Sequence, residues 1–198
     1  MRGVVFSPDG HRLATAGYDG TVRLWNPDTG QPVGDPLERD AASVLGVAFS
    51  PDGHRLATAG FDQAVQLWNP DTGQALGEPL TGHTGAVWGV VFSPDGHRLA
   101  TAAADNTVRL WNPDTGQPLG DPLAGHTGTV FGVAFSPDGH RLASASADNT
   151  VRLWPALATP ADLCAKLTTN MNDKQWHDWI SADIGYKELC PGLPRAPD

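Results

Sequence analysis

Between residues 21 and 25 the chain reads Thr-Val-Arg-Leu-Trp, with apolar and polar side chains in alternation, and the rhythm returns at 65–68, 108–111 and 151–154. A period of two places the apolar residues on one face of a β-strand. Ahead of each such stretch stand two others. One is an apolar, β-branched run such as Val-Trp-Gly-Val-Val-Phe at 87–92, and the other is Leu-Ala-Thr-Ala or Leu-Ala-Ser-Ala. Pro-Asp-Gly, Asp-Asn and Pro-Asp-Thr-Gly separate the runs, and these residues supply the preset or positive φ angles of tight turns. Nothing before residue 156 shows a helical period, so the pattern predicts antiparallel hairpins.

The hairpins come in a fixed module. Ser-Pro-Asp-Gly-His-Arg-Leu-Ala begins at 7, 50, 93 and 136, a spacing of 43 residues each time, which is the mark of a stacked repeat. In the third unit, 86–93 predicts a first strand, 97–103 a second and 107–111 a third. Gln-Pro-Leu-Gly-Asp-Pro-Leu at 117–123 completes a four-stranded meander. Ser-Pro-Asp-Gly is then the hairpin between the first two strands, its proline presetting one φ and its glycine accepting a positive one.

Composition narrows the partners. The chain has 198 residues, a formal net charge of −9, 23 Gly and 17 Pro. Such an acidic chain does not suit a phosphate backbone or an anionic membrane, both of which call for a basic face. No apolar run reaches the length of a membrane span, and the first residues lack a signal-peptide core, so a cytoplasmic setting is expected. Cys164 and Cys190, the two cysteines, fall outside the repeats, so no disulfide framework is implied there.

Several recurring residues resemble the signature of the WD-repeat β-propeller family. Gly82-His83 and Gly125-His126 stand before first strands. Asp19, Asp62, Asp105 and Asp148 stand between second and third strands, and Trp25, Trp68, Trp111 and Trp154 end third strands. The usual Trp-Asp is Trp-Asn three times and Trp-Pro once, a mild departure because Asn also starts turns. The resemblance implies an all-β fold, a partial propeller of about four blades over residues 1–155. A short α-helical tail is expected over 156–198, its last residues disordered.

Two constellations look catalytic. His83, Thr101, Asp105 and Trp111 in the third unit, and His126, Ser144, Asp148 and Trp154 in the fourth, combine hydroxyl, imidazole and carboxylate as a hydrolase does. The resemblance implies instead a buried hydrogen-bond chain running from indole to hydroxyl to imidazole to carboxylate. A nucleophile is needed once on an exposed turn, whereas these hydroxyls recur in mid-strand as Thr15, Thr58, Thr101 and Ser144. The turn histidines His11, His54, His97 and His140 occur one per unit, too far apart to share a metal ion, and no phosphate-binding loop or zinc motif is present. The expectation is a non-enzyme with no cofactor and no metal.

After Trp154 the strand pattern stops. Thr159 and Pro160 offer a helix start and Asn172 another, with Trp176, Trp179 and Ile180 at helical spacing behind it. Such a tail is similar to those closing bacterial WD-repeat signalling proteins that carry a kinase or STAND-type NTPase. Propellers of this family mostly use seven or eight blades of ~40–45 residues, so about four units make an incomplete ring. Met1 falls level with Val44 and Val87, inside a first strand, and the fourth unit lacks an outer strand. Arg39-Asp40 replaces Gly-His in the second unit. A homodimer completing an eight-bladed ring, or the remainder of a longer propeller, is the expected remedy.

The function expected is a non-catalytic scaffold presenting loops to a protein or peptide partner, with no nucleic acid and no membrane. The alternative is a sensory or autoinhibitory module of a larger signalling protein. In the family, partners meet the residue after the first apolar position of the first strand and the residue before the turn aspartate. Those columns hold Arg2, Leu45, Trp88 and Phe131, and Tyr18, Phe61, Ala104 and Ala147. They vary while the rest of the repeat hardly does, and the expected partner-binding set is Arg2, Tyr18, Leu45, Phe61, Trp88 and Phe131.

Overall fold

Each repeat begins with a hairpin whose turn is wired by the repeated letters themselves. The Ser7 carbonyl accepts the Gly10 N–H at 2.9 Å, and Gly10 takes a φ of 75°. The Ser7 hydroxyl donates to Asp9 Oδ1 at 2.5 Å and accepts the Arg12 N–H at 2.9 Å, while Asp9 also accepts the His11 N–H at 3.0 Å. The Ser7 and His11 bonds hold the Asp9 carboxyl below the usual range. The same wiring returns at Ser50, Ser93 and Ser136, so the motif closes a hairpin in all four units.

The computed structural model describes residues 1–38 and 43–156. It divides into two units, Met1–Trp154 and Pro155–Asp198. The expected helical tail, with Cys164, Cys190, Trp176 and Trp179, lies outside the described residues, and so does Arg39-Asp40. The first blade comprises β1 (Gly3–Phe6), β2 (Leu13–Ala16), β3 (Thr21–Trp25) and β4 (Leu37–Glu38). The second comprises β5 (Val44–Phe49), β6 (Leu56–Gly60) and β7 (Val65–Trp68), the third β8 (Val87–Phe92), β9 (Leu99–Ala103) and β10 (Val108–Trp111). The fourth has β11 (Val130–Phe135), β12 (Arg141–Ser146) and β13 (Val151–Pro155). Each is an antiparallel sheet in chain order, which fits a partial propeller.

The outermost strand departs from expectation. Among the described residues a fourth strand, of two residues, accompanies the first blade alone; the second and third have isolated bridges at Val65–Leu80, Trp68–Ala75, Val108–Leu123 and Trp111–Pro118. The reason lies in the segment. Gly34, Gly77 and Gly120 take φ of 71°, 71° and 79° in its middle, and the flanking prolines cannot donate to a ladder. No fourth strand accompanies the fourth blade among the described residues.

Consecutive sheets stack, β5 lying between β1 and β8, and β8 between β5 and β11. Val22 and Leu24 of the first blade pack with Val44, Phe49, Leu56 and Trp68 of the second. Val65 and Leu67 of the second then pack with Val87, Phe92, Leu99 and Trp111 of the third. The approach is close enough to require glycine. A Cβ on Gly46 would stand 3.0 Å from the Trp88 carbonyl oxygen of the next blade.

The turn between second and third strands needs a left-handed residue at 20, 63, 106 and 149. Gly20, Asn106 and Asn149 accept that conformation readily, but Gln63 is held there at φ 65°. Gln63→Val is therefore expected to lower the unfolding free energy by about 1 kcal/mol or more, and Gln63→Gly to leave it unchanged or raise it slightly. Urea unfolding of both variants checks this; a Val variant as stable as the parent would refute it.

Candidate partner-binding site

The hydrogen-bond chains of the third and fourth blades run from the third strand across the second to the loop before the first strand and the turn after the second. An indole N–H only donates and a carboxylate only accepts, so a neutral imidazole beside the carboxylate fixes the direction. Trp111 Nε1 donates to Thr101 Oγ1 at 2.9 Å, the Thr101 hydroxyl donates to His83 Nε2 at 2.7 Å, and His83 Nδ1 donates to Asp105 Oδ2 at 2.8 Å. Asp105 also accepts the Thr84 N–H at 3.0 Å. The fourth blade repeats this through Trp154, Ser144, His126 and Asp148, each step at 2.8 Å. Gly82 precedes His83 with φ 143°, a backbone conformation that residues with a side chain rarely adopt, so the glycine of Gly-His is favoured by the turn it makes.

Burial sets the charges. It lowers the affinity of His83 for a proton, outweighing the nearby Asp105 carboxylate, so the imidazole stays neutral. Burial alone would raise the Asp105 pKa, but bonds from the Thr84 N–H, the Thr107 hydroxyl and His83 bring it below the usual carboxylate range. Asp148 is lowered too, chiefly by the Thr150 hydroxyl. Thr101 and Ser144 are 0% and 2% exposed, in the middle of β9 and β12, so neither hydroxyl faces solvent. In the first two blades the first link is present too, Trp25 to Thr15 at 2.8 Å and Trp68 to Thr58 at 2.9 Å. Asp19 instead takes bonds from Arg23 and Thr21, which push it down to about 2.

The expected partner columns meet at the start of the first strands. Pairing in β5, β8 and β11 skips a residue between Val44 and Gly46, Val87 and Gly89, and Val130 and Gly132. The skipped residues are Leu45, Trp88 and Phe131. A β-bulge re-aims its side chain, which explains why this column can vary without disturbing the ladder.

Five side chains of the two columns, Arg2, Tyr18, Phe61, Trp88 and Phe131, form a continuous row. The Arg2 guanidinium lies 5.2 Å from the centre of the Tyr18 ring and 5.5 Å from that of Trp88, and its Nε donates to the Tyr18 hydroxyl. Trp88 meets Phe61 edge-on at 5.9 Å and Phe131 edge-on at 5.4 Å. Tyr18, Phe61 and Phe131 are each about half exposed, and Trp88 is half-buried at the centre. The Trp88 Nε1–H is shut from solvent and has no acceptor.

Leu45 corrects the expected set. It is buried, because its short aliphatic side chain cannot reach out as Arg2 and Trp88 do, and those two meet across the blade that carries it. Ala104 and Ala147 bring no large side chain to the row. The sequence reading missed the ion pairs that tie successive blades, Arg12 to Asp71 and Arg55 to Asp114. Both span 59 residues, from the Arg of the first turn to the Asp of the third-strand turn one blade on, and since every offset recurs in a 43-residue repeat no signal in the sequence singled this one out.

Among the described residues no three His, Cys, Asp or Glu side chains gather closely enough to hold a metal ion, and no helix is long and apolar enough to cross a membrane. A family model described as WD domain, G-beta repeat matches residues 1–26, 35–69, 74–112 and 116–155. No curated protein matches the chain.

Two outcomes follow from the buried chains. Thr101→Val leaves both His83 Nε2 and the Trp111 indole N–H without a partner, whereas Thr15→Val strands the Trp25 indole N–H alone. The first is expected to cost about 1–3 kcal/mol and clearly more than the second in urea unfolding, and equal losses would refute the assignment. The second outcome concerns pH. As pH falls through the ordinary histidine value of 6.5, the unfolded chain takes up a proton that folded His83 refuses, so stability drops. The depressed Asp105 adds a further loss below its ordinary value of 3.8. Thermal midpoints between pH 7.5 and 5 are expected to decline, and His83→Gln to flatten the decline; an unaltered slope would refute the role of His83.

Proposed function

The chain belongs to the WD-repeat family, and from that premise we propose that it is a non-catalytic interaction scaffold whose exposed row Tyr18–Arg2–Trp88, with Phe61 and Phe131, captures a peptide segment of a protein partner. The observation that carries the reading is the continuity of the row. Five side chains from four blades touch in sequence, and half of each flanking ring stays open to solvent. Aromatic and arginine side chains gathered this way are the usual anchors of interfaces, because they cover much area with few rotatable bonds. The segment that fits carries an apolar or aromatic residue to lie against Phe61 and Phe131. A carbonyl or carboxylate beside it would draw on the exposed Arg2 guanidinium.

The reading is tested by selecting peptides from a displayed random library on the purified chain and titrating them onto Trp88→Ala combined with Phe61→Ala. Each anchor is worth ~2 kcal/mol, so affinity is expected to fall at least about thirtyfold, with the thermal midpoint nearly unchanged. Peptides that bind the variant as well as the parent, or a parent that selects none, would overturn it.

A further inference from the structure

Each blade turns one face back to the blade before it and one forward to the blade after, and at two surfaces that stacking is interrupted. On the backward face, Phe49 of β5 is 8% exposed and Phe92 of β8 is 6% exposed, whereas Phe6, at the same place in β1, is 59% exposed with Val4 beside it. On the forward face, the columns Val22–Val65–Val108 and Leu24–Leu67–Leu110 are buried, but their fourth members, Val151 and Leu153 of β13, are 68% and 67% exposed. The glycines agree. A Cβ on Gly3, Gly46 or Gly89 would meet the next blade at 3.0–3.1 Å, and a Cβ on Gly132 would meet nothing within 4 Å.

The unpaired charges lie at the same two surfaces. In the inter-blade ladder Arg12 reaches Asp71 and Arg55 reaches Asp114. The residue at the same offset from Arg98 is Leu157, and Arg98 bonds Asp95 at 3.1 Å and lies 5.8 Å from the Phe135 ring centre. Two ladder members remain. Arg141 of the fourth blade stands where Arg12 and Arg55 stand, and Asp28 of the first stands where Asp71 and Asp114 stand. Among the described residues neither side chain has a partner, and both are exposed.

We propose that the forward face of the fourth blade receives the backward face of the first blade of a second copy, with Arg141 of one copy bonded to Asp28 of the other. The contact needs no new chemistry. It repeats the valine, leucine and phenylalanine packing and the ion pair that the chain already uses between its own blades, with the complementary charges on opposite faces. Because each copy carries both faces, two copies satisfy one another reciprocally, as a closed head-to-tail pair of eight blades. This surface is separate from the aromatic row, and its test reads mass rather than peptide capture, so either reading can fail alone.

Sedimentation equilibrium of the full chain at tens of micromolar is expected to give twice the chain mass. Arg141→Asp alone and Asp28→Arg alone each set like charges opposite one another at both junctions. Each is expected to raise the apparent dissociation constant at least about tenfold, without moving the thermal midpoint at low concentration. An equimolar mixture of the two variants restores an opposite pair at both junctions and is expected to return to within about threefold of the parent. A monomeric parent, which would leave the faces to repeats supplied by another chain, an open series of higher masses, or a mixture no tighter than its components would each overturn the proposal.

Discussion

Everything in the described part of this chain depends on the covering of one sheet face by the next. A single blade with Val22 and Leu24 on one face and Val4 and Phe6 on the other has apolar surface on both sides, too small a body to bury either alone. Stacking settles that only if the backbones come near enough for the side chains to interlock. Glycine at 3, 46 and 89 is what lets the next blade approach to about 3 Å of where a Cβ would be. Stability therefore resides between repeats more than within them, as one-dimensional arrays require.

The polar residues serve the same stacking. A tryptophan at the end of each third strand buries a large ring against the preceding blade, as Trp68 and Trp111 show, but its indole N–H must find an acceptor. The strand hydroxyl provides one, and in the third and fourth blades the imidazole and carboxylate extend the relay outward to the Thr84 and Thr127 backbone N–H groups. That outer end ties the loop before each first strand to the turn after each second strand. The arrangement resembles a catalytic triad because both need a neutral imidazole between a hydroxyl and a carboxylate. The difference is access, since here the hydroxyl lies inside the packing.

Where the stacking makes no demand, the repeat is free to vary. The bulged position at 45, 88 and 131 is skipped by the strand ladder, so a side chain there answers to neighbours across blades rather than to its own sheet. Arg2 and Trp88 meet across the second blade, and Trp88 gathers Phe61 and Phe131 from blades on either side of its own. A recognition surface thus forms at the positions where repetition is least needed.

By itself the sequence determined the repeat of 43 residues, the three long strands of each unit and the turn chemistry of Ser-Pro-Asp-Gly, all of them local or periodic properties. A two-residue period and a fixed turn are visible in a linear string because the forces behind them act within a few residues. The outer strand was overcalled for the converse reason: Leu80 and Leu123 read as strand residues, but the intervening glycines and prolines reduce pairing to single bridges. The burial of Leu45 beside an exposed Phe131, and the 59-residue reach of Arg12 to Asp71, were decided only by tertiary structure. Both depend on how far one blade is displaced from the next. That displacement is set by side-chain packing between sheets, which no spacing along the chain encodes.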